Sequence, residues 1–327
     1  MRKSKSSKIF LFFKLGIGIG VITFFLFWLD INKILMTLSE INLAIIIALF
    51  IIYVFDRLFM TYKWGLLIKS FKQDISFWTL AKAYFYGSFA SQFMPVSISG
   101  EVVRFYAVFE DGLSRTYLFS SIVIEKIIGF FSMVVAGFIA IALYSSPLSN
   151  NNFYNGVTIA VFLLLCLSIF LFLIIKKKIL LNLLDRYHGR FRDKILKIIS
   201  SFRFFSQKKN ILLKFFFYSL VEQILPVISI YILAHALDIN ISFLQVLFVT
   251  SLGLLLARLP ISPSSIGIQE GAFVGLFILI GLSGELGFAL SISIRILDMI
   301  YPLPFILIYL SETVHLLKKS KNEINKA

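Results

Sequence analysis

A chain of 327 residues that is 59% hydrophobic, with a mean hydropathy of +0.91, carries more apolar surface than a water-soluble domain can bury. Its 32 Lys and Arg against 17 Asp and Glu give a formal charge of +15, but the basic residues collect between apolar runs, as in a polytopic membrane protein, and this excludes a nucleic-acid surface. Cys166 is the one cysteine and lies inside an apolar run, and His188, His235 and His315 are far apart, so neither a disulfide framework nor a metal site is expected, and no cofactor.

Arg2, Lys3, Lys5 and Lys8 precede an apolar run from Ile9 to Leu29. That run is too long for a signal-peptide core and no small-residue cleavage site follows it, so it predicts a first spanning helix with a cytoplasmic N-terminus. Residues 43–68 predict a second span with Asp56 and Arg57 near its middle, and Lys63, Lys69 and Lys72 mark its cytoplasmic end. Residues 77–94 are only moderately apolar and run into Met94-Pro-Val-Ser-Ile-Ser-Gly-Glu-Val-Val-Arg104. Further spans are predicted over 116–144, 155–175, 212–236 and 287–312, with a basic stretch at 176–210. Before the last span comes Arg258-Leu-Pro-Ile-Ser-Pro-Ser-Ser-Ile-Gly-Ile-Gln-Glu-Gly271, flanked by apolar runs 243–257 and 272–282 that are each short for a bilayer. Pro95, Pro260 and Pro263 remove backbone donors and Gly100 and Gly267 supply flexible backbone, so both stretches read as helix breaks. Broken backbone at membrane depth is stable only when buried in protein or lining a wet cavity.

Charge decides the topology. If 77–94 crossed the membrane, Arg104, Arg115 and the whole 176–210 stretch would lie outside, against the positive-inside rule. If 77–112 enters and returns, every basic cluster is cytoplasmic, while loops 145–154 and 237–242, without Lys or Arg, lie outside. The prediction is one all-α integral membrane domain over 1–327, with six spanning helices, two opposed re-entrant helical hairpins and both termini cytoplasmic, in the plasma (inner) membrane of a prokaryote.

The two halves correspond, repeat 1 over about 43–144 and repeat 2 over about 212–312. Asp56 and Glu222 are 166 residues apart, as are Ile75-Ser-Phe77 and Ile241-Ser-Phe243. Pro95-Val-Ser97 matches Pro260-Ile-Ser262, and Glu101 matches Glu270. Lys126 lies 25 residues after Glu101, and Arg295 lies 25 after Glu270. Hairpins entering from opposite sides make this an inverted repeat, an architecture of secondary transporters.

Ionisable residues inside spans are expensive and usually functional or paired. Glu101, Arg104, Glu125, Lys126, Arg258, Glu270, Arg295 and Asp298 are therefore the candidates for binding a polar headgroup, with Asp56, Arg57 and Glu222 secondary. The bland alternatives are interhelical ion pairs, with Glu125 or Asp298 meeting Lys126, Arg258 or Arg295, and helix-capping roles for Glu101 and Glu270. The repeat predicts that Glu101, Arg104 and Glu270 converge on a shared cavity.

Pro95…Gly100-Glu101-Val-Val-Arg104, the Glu125-Lys126 pair and Leu259-Pro260…Pro263…Gly267-Ile-Gln-Glu270 resemble the lysylphosphatidylglycerol synthase transmembrane region, also called the flippase-like or UPF0104 family, over roughly 10–315. The resemblance implies lipid translocation. The soluble aminoacyltransferase domain of the bifunctional synthases does not follow in these 327 residues, so aminoacyl transfer is not implied. Lys126 stands where the family often has Arg. The expected activity is movement of an anionic phospholipid or polyprenyl-phosphate-linked glycolipid between leaflets. With no G-x-x-x-x-G-K-[ST] motif, a transporter is favoured over an enzyme. The alternatives are a membrane-embedded transferase using Glu101 or Glu270 as base, and a non-catalytic partner of a lipid glycosyltransferase or synthase. Membrane lipids are the expected partners, and no nucleic acid.

Overall fold

The computed structural model describes residues 41–71, 75–93, 98–109, 115–144, 208–258 and 265–305, together with 155–156, 158–159, 161–162, 205 and 262. The predicted span 9–29, most of 155–175, nearly all of the 176–210 stretch, and Pro95, Pro260 and Pro263 lie outside the described residues.

All regular structure among the described residues is helical. The order is α1 (Leu43–Lys69), α2 (Phe77–Phe93), α3 (Ser99–Phe109), α4 (Arg115–Tyr144), α5 (Lys209–Glu222), α6 (Ile224–Ala236), α7 (Phe243–Ala257), α8 (Ile268–Leu279) and α9 (Gly284–Ile300). The starts follow side-chain caps. Asn42 accepts the Ala44 N–H at 2.8 Å, Ser283 accepts that of Leu286 at 3.4 Å, and Ser242 and Gln245 form a reciprocal capping box at the head of α7.

Four helical segments are long and apolar enough to cross a membrane: Leu43–Lys69, Tyr117–Tyr144, Lys209–Ala236 and Gly284–Phe305. They fall on four of the six predicted spans. The helices beside the two breaks are shorter. At 17, 11, 15 and 12 residues, α2, α3, α7 and α8 measure about 16–26 Å, below the roughly 30 Å of a hydrocarbon core.

One departure is the segment predicted as a continuous helix over 212–236. It is interrupted at Gln223, between α5 and α6. Pro226 explains this, because it has no N–H to donate to the Glu222 carbonyl four residues back. The interruption puts Glu222 and Gln223 at the wall of a cavity.

Contacts fix which helix ends meet. The end of α1 meets the start of α4 through Phe71 and Tyr117, stacked at 4.5 Å, and meets the approach to α5 through Lys208, which donates to the Ser70 carbonyl. The end of α4 meets the start of α7 through Tyr144 and Phe248 at 5.2 Å. Hence α1 and α5–α6 run antiparallel, and α2, which follows α1, starts at the opposite end of the bundle from α7, which follows α6. Each of α2–α3 and α7–α8 is an antiparallel helical hairpin.

Small residues set the closeness of both hairpins. A methyl on Gly87 would sit 2.7 Å from Arg104 Cγ and 2.8 Å from the Gly100 carbonyl oxygen. A methyl on Gly253 would sit 2.7 Å from Phe273 Cε2. Without a hydrophobic drive between helices in lipid, such close approach and the dispersion contacts it permits hold the bundle together.

Candidate substrate cavity

A cavity of about 250 Å³ opens where the hairpin tips approach each other. Its walls come from α1 (Arg57, Lys63), α2 (Tyr84, Ser88), α3 (Glu101, Arg104), α4 (Glu125, Lys126), the α5–α6 interruption (Glu222, Gln223) and the tip residue Arg258. Five of these side chains are cations and three are carboxylates.

Most of the charges are already matched. Arg104 is buried and makes a two-point contact with Glu125, at 3.0 and 2.5 Å. Its guanidinium lies between Trp64 and Tyr84, 4.2 and 3.7 Å from their ring centres, and the Tyr84 hydroxyl also donates to Glu125. Planar fork and stacking faces are both used, an arrangement that suits Arg and not Lys. Lys63 pairs with Glu222 and donates to the Ser219 hydroxyl at 3.2 Å. Arg57 contacts Asp56 at 2.5 Å and the Ser88 hydroxyl at 3.4 Å.

The hairpin glutamates are paired in the same way in both halves. Lys126 Nζ lies 2.5 Å from Glu101, and Arg295 Nε lies 2.5 Å from Glu270. Their surroundings differ. The Lys126 and Glu101 side chains are 48% and 21% exposed, and Glu101 leaves one oxygen without a partner. Glu270 is 0% exposed, and its second oxygen accepts the Gly267 N–H at 2.7 Å. Gly267 has φ +82°, a left-handed conformation that glycine takes without strain. Arg295 adds a hydrogen bond to the Ser265 carbonyl at 3.3 Å.

Arg258 is the exception. It caps α7, is exposed and faces the cavity, and makes no ion pair among the described residues.

Of the predicted site residues, Glu101, Arg104, Glu125, Lys126, Arg258, Arg57 and Glu222 line this one cavity together with Gly100. Glu270 and Arg295 do not line it and are locked to each other beside Gly267. Asp56 reaches the cavity through Arg57, and Asp298 lies near Arg57 on the side away from it. Glu125 partners Arg104, which differs from the alternative pairings expected from the sequence. Lys63, expected as a mark of the cytoplasmic end, is a buried member of the cavity wall. Its signal was available: it follows Asp56 by seven residues, two helical turns, and so shares its face. Tyr84 and Trp64, which hold Arg104, carried no charge to flag them.

The family model for the lysylphosphatidylglycerol synthase transmembrane region matches residues 14–305. The chain belongs to that family. Two curated relatives are similar to this member over most of their lengths. A UPF0104 membrane protein of Pyrococcus horikoshii is 22% identical over 304 residues, covering 86% of this chain and 90% of the relative. A UPF0104 membrane protein of Methanothermobacter thermautotrophicus is 24% identical over 327 residues, covering 92% of each. This member of the synthase transmembrane family is thus an integral membrane protein with several apolar helices.

Proposed function

We propose that this protein moves an anionic lipid headgroup between leaflets, with the headgroup passing through the cavity and the acyl chains remaining in the bilayer. The observation that carries the reading is Arg258: a cation without a carboxylate partner, facing a charged cavity inside an apolar helical bundle. A charge at membrane depth is costly, by about 3 kcal/mol on insertion scales and more in simulations. An unpaired guanidinium is kept there when a mobile anion is its partner for part of a cycle. The phosphate of a phospholipid or of a polyprenyl-phosphate-linked glycolipid is such an anion. Lys126, exposed and bound at one point, is the second contact in this reading. Glu101 is the carboxylate it leaves. Arg104, Glu125 and Tyr84 form a fixed wall, and Glu270, Arg295 and Gly267 brace the second hairpin.

The same proposal includes six spans, two re-entrant hairpins, an inverted repeat of 43–144 and 212–312, and cytoplasmic termini in a prokaryotic inner membrane. Two features support it. The hairpins begin at opposite ends of the bundle. Equivalent residues also make equivalent contacts: Lys126–Glu101 matches Arg295–Glu270 at an offset of 169, and Arg104 lies over Gly87 as Phe273 lies over Gly253.

The test is reconstitution of the pure protein into liposomes with a leaflet-resolved assay of labelled lipids. Movement of an anionic lipid above the protein-free rate is expected. Absence of movement across phospholipids and polyprenyl phosphates contradicts the reading and favours a partner of a lipid glycosyltransferase or synthase.

A further inference from the structure

A second polar cluster lies behind Arg57, between α1, α2 and α9. Arg57 sits 5.3 Å from the centre of the Tyr53 ring, and that ring packs 5.3 Å from Tyr301. Asp298, one turn before Tyr301 on α9, lies within electrostatic range of Arg57, Arg295 and Asp56. Phe50, Phe85 and Phe305 cover the cluster with stacked rings.

Its polar groups are incompletely used. Asp56 is 7% exposed, and while one oxygen holds Arg57, the other has no partner. Tyr301 is 6% exposed, and its hydroxyl, close enough to feel the Asp298 carboxylate, has no partner either. Asp298 makes no hydrogen bond or ion pair among the described residues. The charged and titratable groups facing it are Tyr53, Asp56 and Arg57 on α1 and Arg295 and Tyr301 on its own stretch, while α2 contributes the Ser88 hydroxyl. Arg295 is matched by Glu270. That leaves two carboxylates against one guanidinium, a surplus of one negative charge in a site walled by aromatic rings. Hard oxygen donors of this kind bind small, weakly polarisable cations. A buried charge without a counter-charge is neutralised by a proton or by an ion.

We propose that Asp298, with the free oxygen of Asp56 and the Tyr301 hydroxyl, takes up one monovalent cation, a proton or Na⁺, and that this uptake loosens the acidic pair's hold on Arg57. Arg57 spans the two sites: it lines the anion cavity while its guanidinium is bound to Asp56. With the cation bound, the carboxylate surplus is gone and Arg57 is available to an anion in the cavity. With the cation absent, Arg57 is retained by the acids. One positive ion and one anionic group then favour each other's binding, which is the linkage needed to drive one with a gradient of the other. This coupling role rests on the cavity being an anion site. The cation site itself does not.

The purified protein in micelles is examined in two ways: ²²Na⁺ binding at equilibrium, and infrared difference spectra of the carboxyl stretch on acidification. The expected result is one of two signals in the wild type, saturable Na⁺ binding or a carboxyl that protonates. That signal is lost in Asp298→Asn, which keeps the shape of the side chain, and weakened in Tyr301→Phe. Absence of both signals from the wild type, or a signal unchanged in either variant, overturns the site. Neither readout measures lipid. Cation binding without lipid movement removes the translocase reading and leaves this one, and lipid movement without a cation signal does the reverse.

Discussion

The two equivalent ion pairs should differ sharply in what they contribute to stability. Lys126–Glu101 and Arg295–Glu270 have the same sequence spacing and the same 2.5 Å contact, yet Lys126 is 48% exposed and Glu270 is 0% exposed. Replacing Lys126 by Gln leaves Glu101 facing a wet cavity, where loss of an exposed pair costs about 0.2–1 kcal/mol. Replacing Arg295 by Gln leaves the Glu270 carboxylate enclosed with the Gly267 N–H as its remaining printed donor. Breaking a buried pair by removing one partner costs about 3–5 kcal/mol. Titrating the purified variants with sodium dodecyl sulfate in mixed micelles, followed by helix content, measures both values. Arg295→Gln should fall well below the wild type and Lys126→Gln should stay close to it. Equal losses would refute the idea that burial separates the two pairs, and a larger loss for Lys126→Gln would reverse it.

Other outcomes follow from individual contacts. Arg104→Lys keeps the charge but loses the two-point contact with Glu125 and the stacking on Trp64 and Tyr84, so membrane yield should drop nearly as far as for Arg104→Gln. A lysine variant at wild-type yield would show that the fork is not needed. Gly253→Ala places a methyl 2.7 Å from the buried Phe273 ring and should destabilise by about 1–3 kcal/mol in the same titration, whereas Gly275→Ala, with open space around the added carbon, should not. With Cys166 replaced by Ala, a cysteine at Asn240 should react with an impermeant maleimide from outside the cell and one at Lys209 only from inside. Labelling of both from one side would contradict the proposed topology.

Much of this was legible in the sequence, and the limits have physical causes. Spans were readable because hydrocarbon thickness sets their length, and four predicted spans coincide with long apolar helices. The repeat was readable because both halves solve one packing problem: the 25-residue spacing from Glu101 to Lys126 and from Glu270 to Arg295 became two real ion pairs. Partners were harder. The price of a charge in a span shows in the sequence, but the group that offsets it comes from a distant helix, as Glu222 does for Lys63 and Glu125 for Arg104. That is why Arg104, expected to capture substrate, is a fixed wall. It is also why Glu270 and Arg295, expected at a shared cavity with Glu101, are sealed beside the second hairpin. The interruption at Gln223 could have been anticipated from Pro226, whose effect falls one turn upstream of the residue itself.

The most direct measurement compares wild type and Arg258→Gln in proteoliposomes carrying either an anionic or a zwitterionic labelled phospholipid. Arg258 has no ion-pair partner to lose, so yield and unfolding should match the wild type within about 0.5 kcal/mol. Movement of the anionic lipid should fall towards the protein-free rate in the variant. Anionic-lipid movement at the wild-type rate in a well-folded Arg258→Gln protein would contradict the anion cavity.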